Sequence, residues 1–165
     1  SMIAIGEVGL DYKMVTEEVA REEQRKIFDK IIKLAKEIKK PLVIHSRGGE
    51  EDVLKILKEN NFNKAVVHCF HGKKRLIKEG VEQGIYFSIP PVIKRLEHFK
   101  TLVEIVPLTQ LLTETDSPYL SPVAGQRNEP SNVKFSIEEI AKIKKLSESE
   151  VADQIYKNAK ELFNL

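Results

Sequence analysis

Lys39-Lys40-Pro41-Leu42-Val43-Ile44-His45-Ser46-Arg47 joins three signals in one short stretch. Lysines of this kind suit the carboxyl end of a helix, proline stops it, and a β-branched apolar triplet then reads as a strand. The strand ends on an imidazole and a guanidinium, polar groups placed where a buried parallel strand would emerge. Upstream, Thr16 to Lys40 reads as one long helix, with Val19, Ile27, Phe28, Ile31, Ile32, Leu34, Ala35 and Ile38 largely on one face. Glu17 and Glu18 fall in its first turn and Lys36 near its end, as the helix dipole favours.

Working outward, the same alternation recurs. Ile3-Ala4-Ile5, Ala65-Val66-Val67, Ile85-Tyr86-Phe87 and Leu111-Leu112-Thr113 join Leu42-Val43-Ile44 as five candidate strands. Helices are expected at Glu51 to Glu59, Arg75 to Gln83 and Leu96 to Ile105. Two more are expected behind the capping boxes Ser136-Ile-Glu-Glu139 and Ser147-Glu-Ser-Glu150. Alternating short strands and amphipathic helices predict an α/β fold with a parallel sheet. Ser117 to Lys134, with three prolines and Gly125, reads as a long ordered loop, and loops of that length in a compact unit usually serve function. No repeat, low-complexity tract or linker interrupts the chain, so residues 1–165 are assigned to one domain. Ser1 ahead of Met2 reads as a scar of tag removal.

Composition narrows the function. The 165 residues carry 27 Lys+Arg against 25 Asp+Glu, a net charge of +2, so any contact with nucleic acid must come from a local patch rather than a global field. Cys69 is the single cysteine, which excludes disulfide scaffolding. No apolar run approaches the ~20 residues of a membrane span, and no signal peptide is visible at the start. The expected location is the cytoplasm, with no membrane partner.

Chemistry-bearing residues cluster where strands end. Glu7 follows Ile3 and Ile5 in parity, His45 follows Val43, His68 follows Val66, and Glu114 and Asp116 follow Leu112. Period-two alternation points all of them toward one interior. Two imidazoles and two carboxylates meeting there would suit a divalent ion such as Zn²⁺, Mn²⁺ or Mg²⁺. Lys73, Lys74 and Arg75 open a helix, where positive charge opposes the dipole unless an anion is met. Cys69 is expected to alternate outward, His98 to lie on a helix surface, His71 to line the mouth without ligating, and Phe70, Tyr86 and Phe87 to be core.

Five strings resemble, in order and spacing, the TatD family of metal-dependent deoxyribonucleases. They are Gly6-Glu-Val-Gly-Leu-Asp-Tyr12, Val43-Ile-His-Ser-Arg47, Val67-His-Cys-Phe-His-Gly72, Thr113-Glu-Thr-Asp-Ser-Pro-Tyr-Leu120 and Arg127-Asn-Glu-Pro130. The resemblance implies a TIM-type barrel and metal-assisted hydrolysis of phosphodiesters, often at DNA ends. It implies that Glu7 bridges two metals, that His45 and His68 ligate one, and that Asp116 ligates the other and orients or deprotonates the attacking water. Glu7 and Asp116 are thus the expected catalytic residues, and Glu7, His45, His68 and Asp116 the expected metal ligands. Arg47, Glu114, Arg127 and Lys73 are the expected substrate contacts, Glu114 alternatively supporting a ligand from behind.

One feature departs from the family pattern. Family members carry a His-x-His strand and a further βα unit ahead of the first string, which here begins at residue 6. The four histidines, His45, His68, His71 and His98, include no such pair. A closed (β/α)₈ barrel typically needs about 250 residues. The expectation is therefore a partial barrel lacking its first βα units, one metal site rather than two, and self-association to cover exposed strand edges. Two further readings stay open: an inactive oligomeric remnant that binds metal or nucleic-acid ends, and a metal hydrolase acting on an amide or ester.

Overall fold

The computed structural model describes residues 2–165, so the Ser1 expectation lies outside it. Five strands alternate with helices: β1 (Ile5–Gly9), α1 (Glu18–Glu37), β2 (Leu42–His45), α2 (Glu50–Glu59), β3 (Ala65–His68), α3 (Lys74–Glu82), β4 (Tyr86–Ile89), α4 (Glu97–Ile105) and β5 (Leu111–Thr113). Two helices close the chain, α5 (Val133–Lys144) and α6 (Glu148–Phe163). The strands form one all-parallel sheet in sequential order β1 to β5. It is an α/β partial barrel of the TIM type, open between β1 and β5. No helix of the described residues is long and apolar enough to cross a membrane.

The alternation that predicted the strands also divides the core. Leu42, Ile44, Ala65, Val67, Phe87 and Leu111 are fully buried on the helix-facing side. They meet Phe28, Ile32 and Ala35 of α1, Leu54 and Leu57 of α2, Ile77 of α3 and Phe99, Leu102 and Val103 of α4 in one cluster. Val43, Val66, Ser88 and Leu112 have the opposite parity and line the concave side, which leads to the polar strand ends. Gly80 lets α3 approach this layer, since a Cβ there would stand 2.7 Å from the Phe87 ring.

Three expectations need correction. The first strand is Ile5–Gly9 rather than Ile3 to Ile5, and its register against β2 shifts between Ile5 and Val8. A bulge of this kind breaks simple alternation and bends the strand. In α1 the apolar face is split: Phe28, Ile32 and Ala35 are buried, whereas Val19, Ile27 and Leu34 are 82%, 48% and 48% exposed. Ser136 caps nothing, because α5 already starts at Val133 behind a short turn over Pro130–Asn132, which also shortens the expected loop. The Ser136 hydroxyl is buried without a hydrogen-bond partner. The other capping box forms as expected, with Ser147 Oγ accepting from the Glu150 N–H and the Glu150 carboxylate accepting from the Ser147 N–H.

Candidate metal centre

The carboxyl ends of β1, β2 and β3 bring Glu7, His45 and His68 together. Their ligating atoms all lie within 4.8 Å of one another. Glu7 Oε1 is 2.7 Å from His45 Nδ1 and 2.6 Å from His68 Nε2, and these two nitrogens are 3.2 Å apart. The group opens onto a groove of about 420 Å³ lined by Glu7, Val8, Gly9, Asp11, Gln24, Ile27 and His45.

Each imidazole is held from behind by a carboxylate, which can only accept. His45 Nε2 lies 2.9 Å from Asp11 Oδ2, and His68 Nδ1 lies 3.3 Å from Glu114 Oε2. A neutral ring that donates its single proton backward turns a lone pair forward. Two lone pairs 3.2 Å apart, both facing a carboxylate oxygen, repel unless a cation or proton stands between them. At ordinary Zn–N distances of about 2.0–2.1 Å, two nitrogens on a tetrahedral ion are about 3.3 Å apart. The donor set and its spacing therefore fit a divalent ion. Without one, burial lowers the pKa of His68, but the Glu114 and Glu7 carboxylates outweigh it and raise the ring to about 9.

Asp11 was not singled out by the sequence reading. Burial pushes its carboxyl up, but the Met14 N–H, His45 and the Lys13 N–H hold it below the ordinary value. Glu114 uses both oxygens on this structure, one facing His68 and the other accepting from the Cys69 N–H at 2.7 Å. Of its two expected roles, support of a ligand is the one these contacts describe.

The remaining expected residues are placed unevenly. Asp116 follows β5 in a left-handed conformation (φ 57°), is exposed, and is not in the Glu7, His45, His68 group. Arg47 is exposed just past β2, Lys73 at the start of α3, and Arg127 in the loop before α5. Asn128, next to Arg127, is buried and fixes that loop: its side-chain amide donates to the Thr115 carbonyl, and its main-chain N–H donates to that of Pro118. Arg75 is engaged by Glu51 and Glu79.

Two minor expectations are corrected here. Cys69 does not simply alternate outward: it has φ 44°, which ends the strand's alternation. Burial and then the nearby Glu114, Asp116 and Glu7 carboxylates push its thiol far up, so it stays protonated. His98 is no free surface residue. Its Nε2–H donates to the Phe70 carbonyl at 2.9 Å, and its ring stacks on His71 with centroids 5.3 Å apart. Phe70 and Phe87 are fully buried in the core, as expected.

Comparison with known proteins places this geometry. Residues 1–164 match the family model described as TatD related DNase. An uncharacterized metal-dependent hydrolase of Methanocaldococcus jannaschii is 46% identical over 162 residues, covering 98% of this chain and 63% of that protein. Deoxyribonuclease TATDN3 of Homo sapiens is 40% identical, over 98% of this chain and 60% of its own. Among solved structures, YjjV of Escherichia coli, a TatD homologue, superposes with a TM-score of 0.86 at 27% identity, covering 98% of this chain and 64% of that one. The chain thus spans somewhat under two thirds of the length of these relatives. Within that span, the match runs through every strand that carries a residue of the centre, and the chain belongs to the TatD related DNase family.

Proposed function

We propose that this chain forms the metal-binding part of a hydrolase that cleaves phosphodiester bonds of DNA. The observation that supports it most is the convergence of Glu7, His45 and His68, with a second carboxylate against the far nitrogen of each imidazole. Glu7 Oε1, His45 Nδ1 and His68 Nε2 would hold one divalent ion rather than two, since they form a single group among the described residues. When bound, such an ion lowers the pKa of water and offsets charge on phosphate oxygens.

Around it the protein's own groups have distinct tasks. Asp116, exposed, lies outside the Glu7, His45, His68 group, and its expected role carried into this reading is to orient or deprotonate the attacking water. Glu7, half exposed, would hold the ion through Oε1 and share that proton handling. Arg47 just past β2, Lys73 at the start of α3 and Arg127 in the loop before α5 are exposed and in no ion pair among the described residues, and would position a phosphodiester backbone. Glu114 contributes by holding His68 rather than by touching substrate.

The relatives' names support the same reading, deoxyribonuclease or putative deoxyribonuclease for some and metal-dependent hydrolase for others. The test is cleavage of an end-labelled DNA oligonucleotide with Mg²⁺ or Mn²⁺, with a chelator and Glu7→Gln in parallel. The reading expects cleavage that both controls abolish; cleavage indifferent to either removes Glu7 and the ion from the reaction. Self-association belongs to the proposal as well, supported by the one-sided pairing of β1 and β5 and by exposed Ile3, Val19, Ile27 and Leu34. Light scattering behind size exclusion should give a mass above one chain, and a monomer at micromolar concentration would contradict it.

A further inference from the structure

A neutral imidazole has one proton to give, and His45 stands between two carboxylates. Glu7 Oε1 is 2.7 Å from its Nδ1, and Asp11 Oδ2 is 2.9 Å from its Nε2. Which carboxylate receives the proton decides what the ring can do. A proton on Nδ1 would make that nitrogen a donor to Glu7 and take it out of ligation. A proton on Nε2 leaves the Nδ1 lone pair in the centre.

The surroundings favour Asp11. Its side chain is 22% exposed against 50% for Glu7, so its bond to the ring is less diluted by water. Its other oxygen accepts from the main-chain N–H groups of Lys13 and Met14 at 3.0 and 2.9 Å, which fixes the carboxylate plane. Its own N–H donates to Gln24 Oε1 at 3.0 Å. On either side of it, the Leu10 N–H donates to the His45 carbonyl and the Tyr12 N–H to that of Arg47, at 3.0 and 2.9 Å. The segment carrying Asp11 is therefore bonded through its backbone to the strand end carrying His45.

Tyr12 extends the clamp outward. Its hydroxyl donates to Asp52 of α2 at 2.6 Å and accepts from Arg25 of α1 at 2.9 Å, while Arg21 reaches its carbonyl at 2.9 Å. Two helices thus brace the turn that aims Asp11. By contrast, among the described residues the Glu7 carboxylate has no hydrogen-bond partner besides the two imidazoles.

We propose that Asp11 is a positioning residue that holds His45 as the Nε2–H tautomer, so that His45 ligates through Nδ1 while His68, held by Glu114, ligates through Nε2. The Gly-Leu-Asp-Tyr segment is then a brace for one ligand rather than a contact for substrate. This rests on the metal reading above, and outer partners of metal-bound histidines typically contribute 10–100-fold in affinity.

The test uses the full chain labelled with ¹⁵N, long-range ¹H–¹⁵N spectra of its imidazoles with and without Zn²⁺, and Zn²⁺ affinity by competition with a chromophoric chelator. Asp11→Asn keeps a carbonyl for the Lys13 and Met14 N–H groups, so the turn survives while the charge on the ring is lost. Asp11→Ala removes both. The expected result is a wild-type His45 protonated on Nε2 and a ring of changed tautomer in Asp11→Ala. Affinity should fall 10–100-fold in Asp11→Ala and at least as far in Asp11→Asn, with the His68 ring unmoved. The amide of Asp11→Asn, with its carbonyl kept on the turn, donates to His45 Nε2 and selects the Nδ1–H tautomer. A wild-type His45 protonated on Nδ1 overturns the proposal, as does affinity within twofold of wild type in both variants. A wild-type chain that binds no Zn²⁺ with its tautomer intact overturns instead the metal reading, and with it the purpose assigned to Asp11.

Discussion

Gly9→Ala should separate the strand that carries Glu7 from the strand that carries His45. A Cβ built at Gly9 would lie 1.9 Å from the His45 carbonyl oxygen and 2.9 Å from its carbon. Both are backbone atoms, so no side-chain rotation relieves the contact. Reaching an ordinary C···O separation of about 3.3 Å requires the strands to part locally by roughly 1.4 Å. Such a shift breaks the bond from the Leu10 N–H to the same carbonyl, 3.0 Å long here, at about 1 kcal/mol. The φ of +146° adds about 1–3 kcal/mol for any residue with a side chain. The sum is about 3 kcal/mol, or a fall in melting temperature of roughly 6–12 °C at this chain length. Gly125→Ala is the control, since φ there is +75° but nothing lies within 4 Å of the new Cβ. It should cost only the backbone term, about 1 kcal/mol. Urea unfolding followed by circular dichroism measures both. Gly9→Ala no less stable than Gly125→Ala would refute the close approach of β1 and β2.

The two serines of the expected capping boxes should respond with opposite signs in the same unfolding assay. Ser147→Ala removes a working cap and should cost about 1 kcal/mol, whereas Ser136→Ala removes a buried hydroxyl without a partner and should stabilise by about 1 kcal/mol. In the metal-free chain, His68 is raised to about 9 from an unfolded value near 6.5. A raised imidazole stabilises fully below the unfolded pKa, and that stability is lost as pH rises through the folded one. With chelator present, stability should therefore fall between pH 6.5 and 9 by at most about 3 kcal/mol, a dependence that His68→Gln removes. A flat profile in wild type would count against the Glu7 and Glu114 contacts to this ring.

What could be read in advance followed the physics of each signal. β2, β3 and β4 are short, buried and apolar, and sequence placed the first two within a residue of where they lie and β4 within two. Parity then aimed His45 and His68 at one centre, because these strands are regular up to their last residue. β1 was misplaced since Gly6, Glu7 and Gly9 lack strand propensity, and a bulge between Ile5 and Val8 interrupts its alternation. Cys69 escaped for a related reason: a single residue at positive φ ends the period on which its orientation was read.

Asp11 and His98 are a different kind of omission. Both act through partners distant in sequence, Asp11 on His45 and His98 on the Phe70 carbonyl and His71, so no local pattern announces them. Asp11 carried one usable hint, an acid two residues after a strand-ending glycine, a position suited to bonding the following N–H groups. The split face of α1 shows the converse. Its periodicity marked Val19, Ile27 and Leu34 as apolar, yet periodicity does not say what, if anything, the same chain brings to cover them.

The claim on which most of this depends is that Glu7, His45 and His68 hold one divalent ion. The most direct measurement is anomalous diffraction from crystals of this chain soaked in Mn²⁺ or Zn²⁺. The account predicts one strong peak within bonding distance of Glu7 Oε1, His45 Nδ1 and His68 Nε2, with Asp11 and Glu114 still on the far sides of the rings. A soaked crystal with no peak there, or an ion bound through His45 Nε2 with the ring turned away from Asp11, would contradict it.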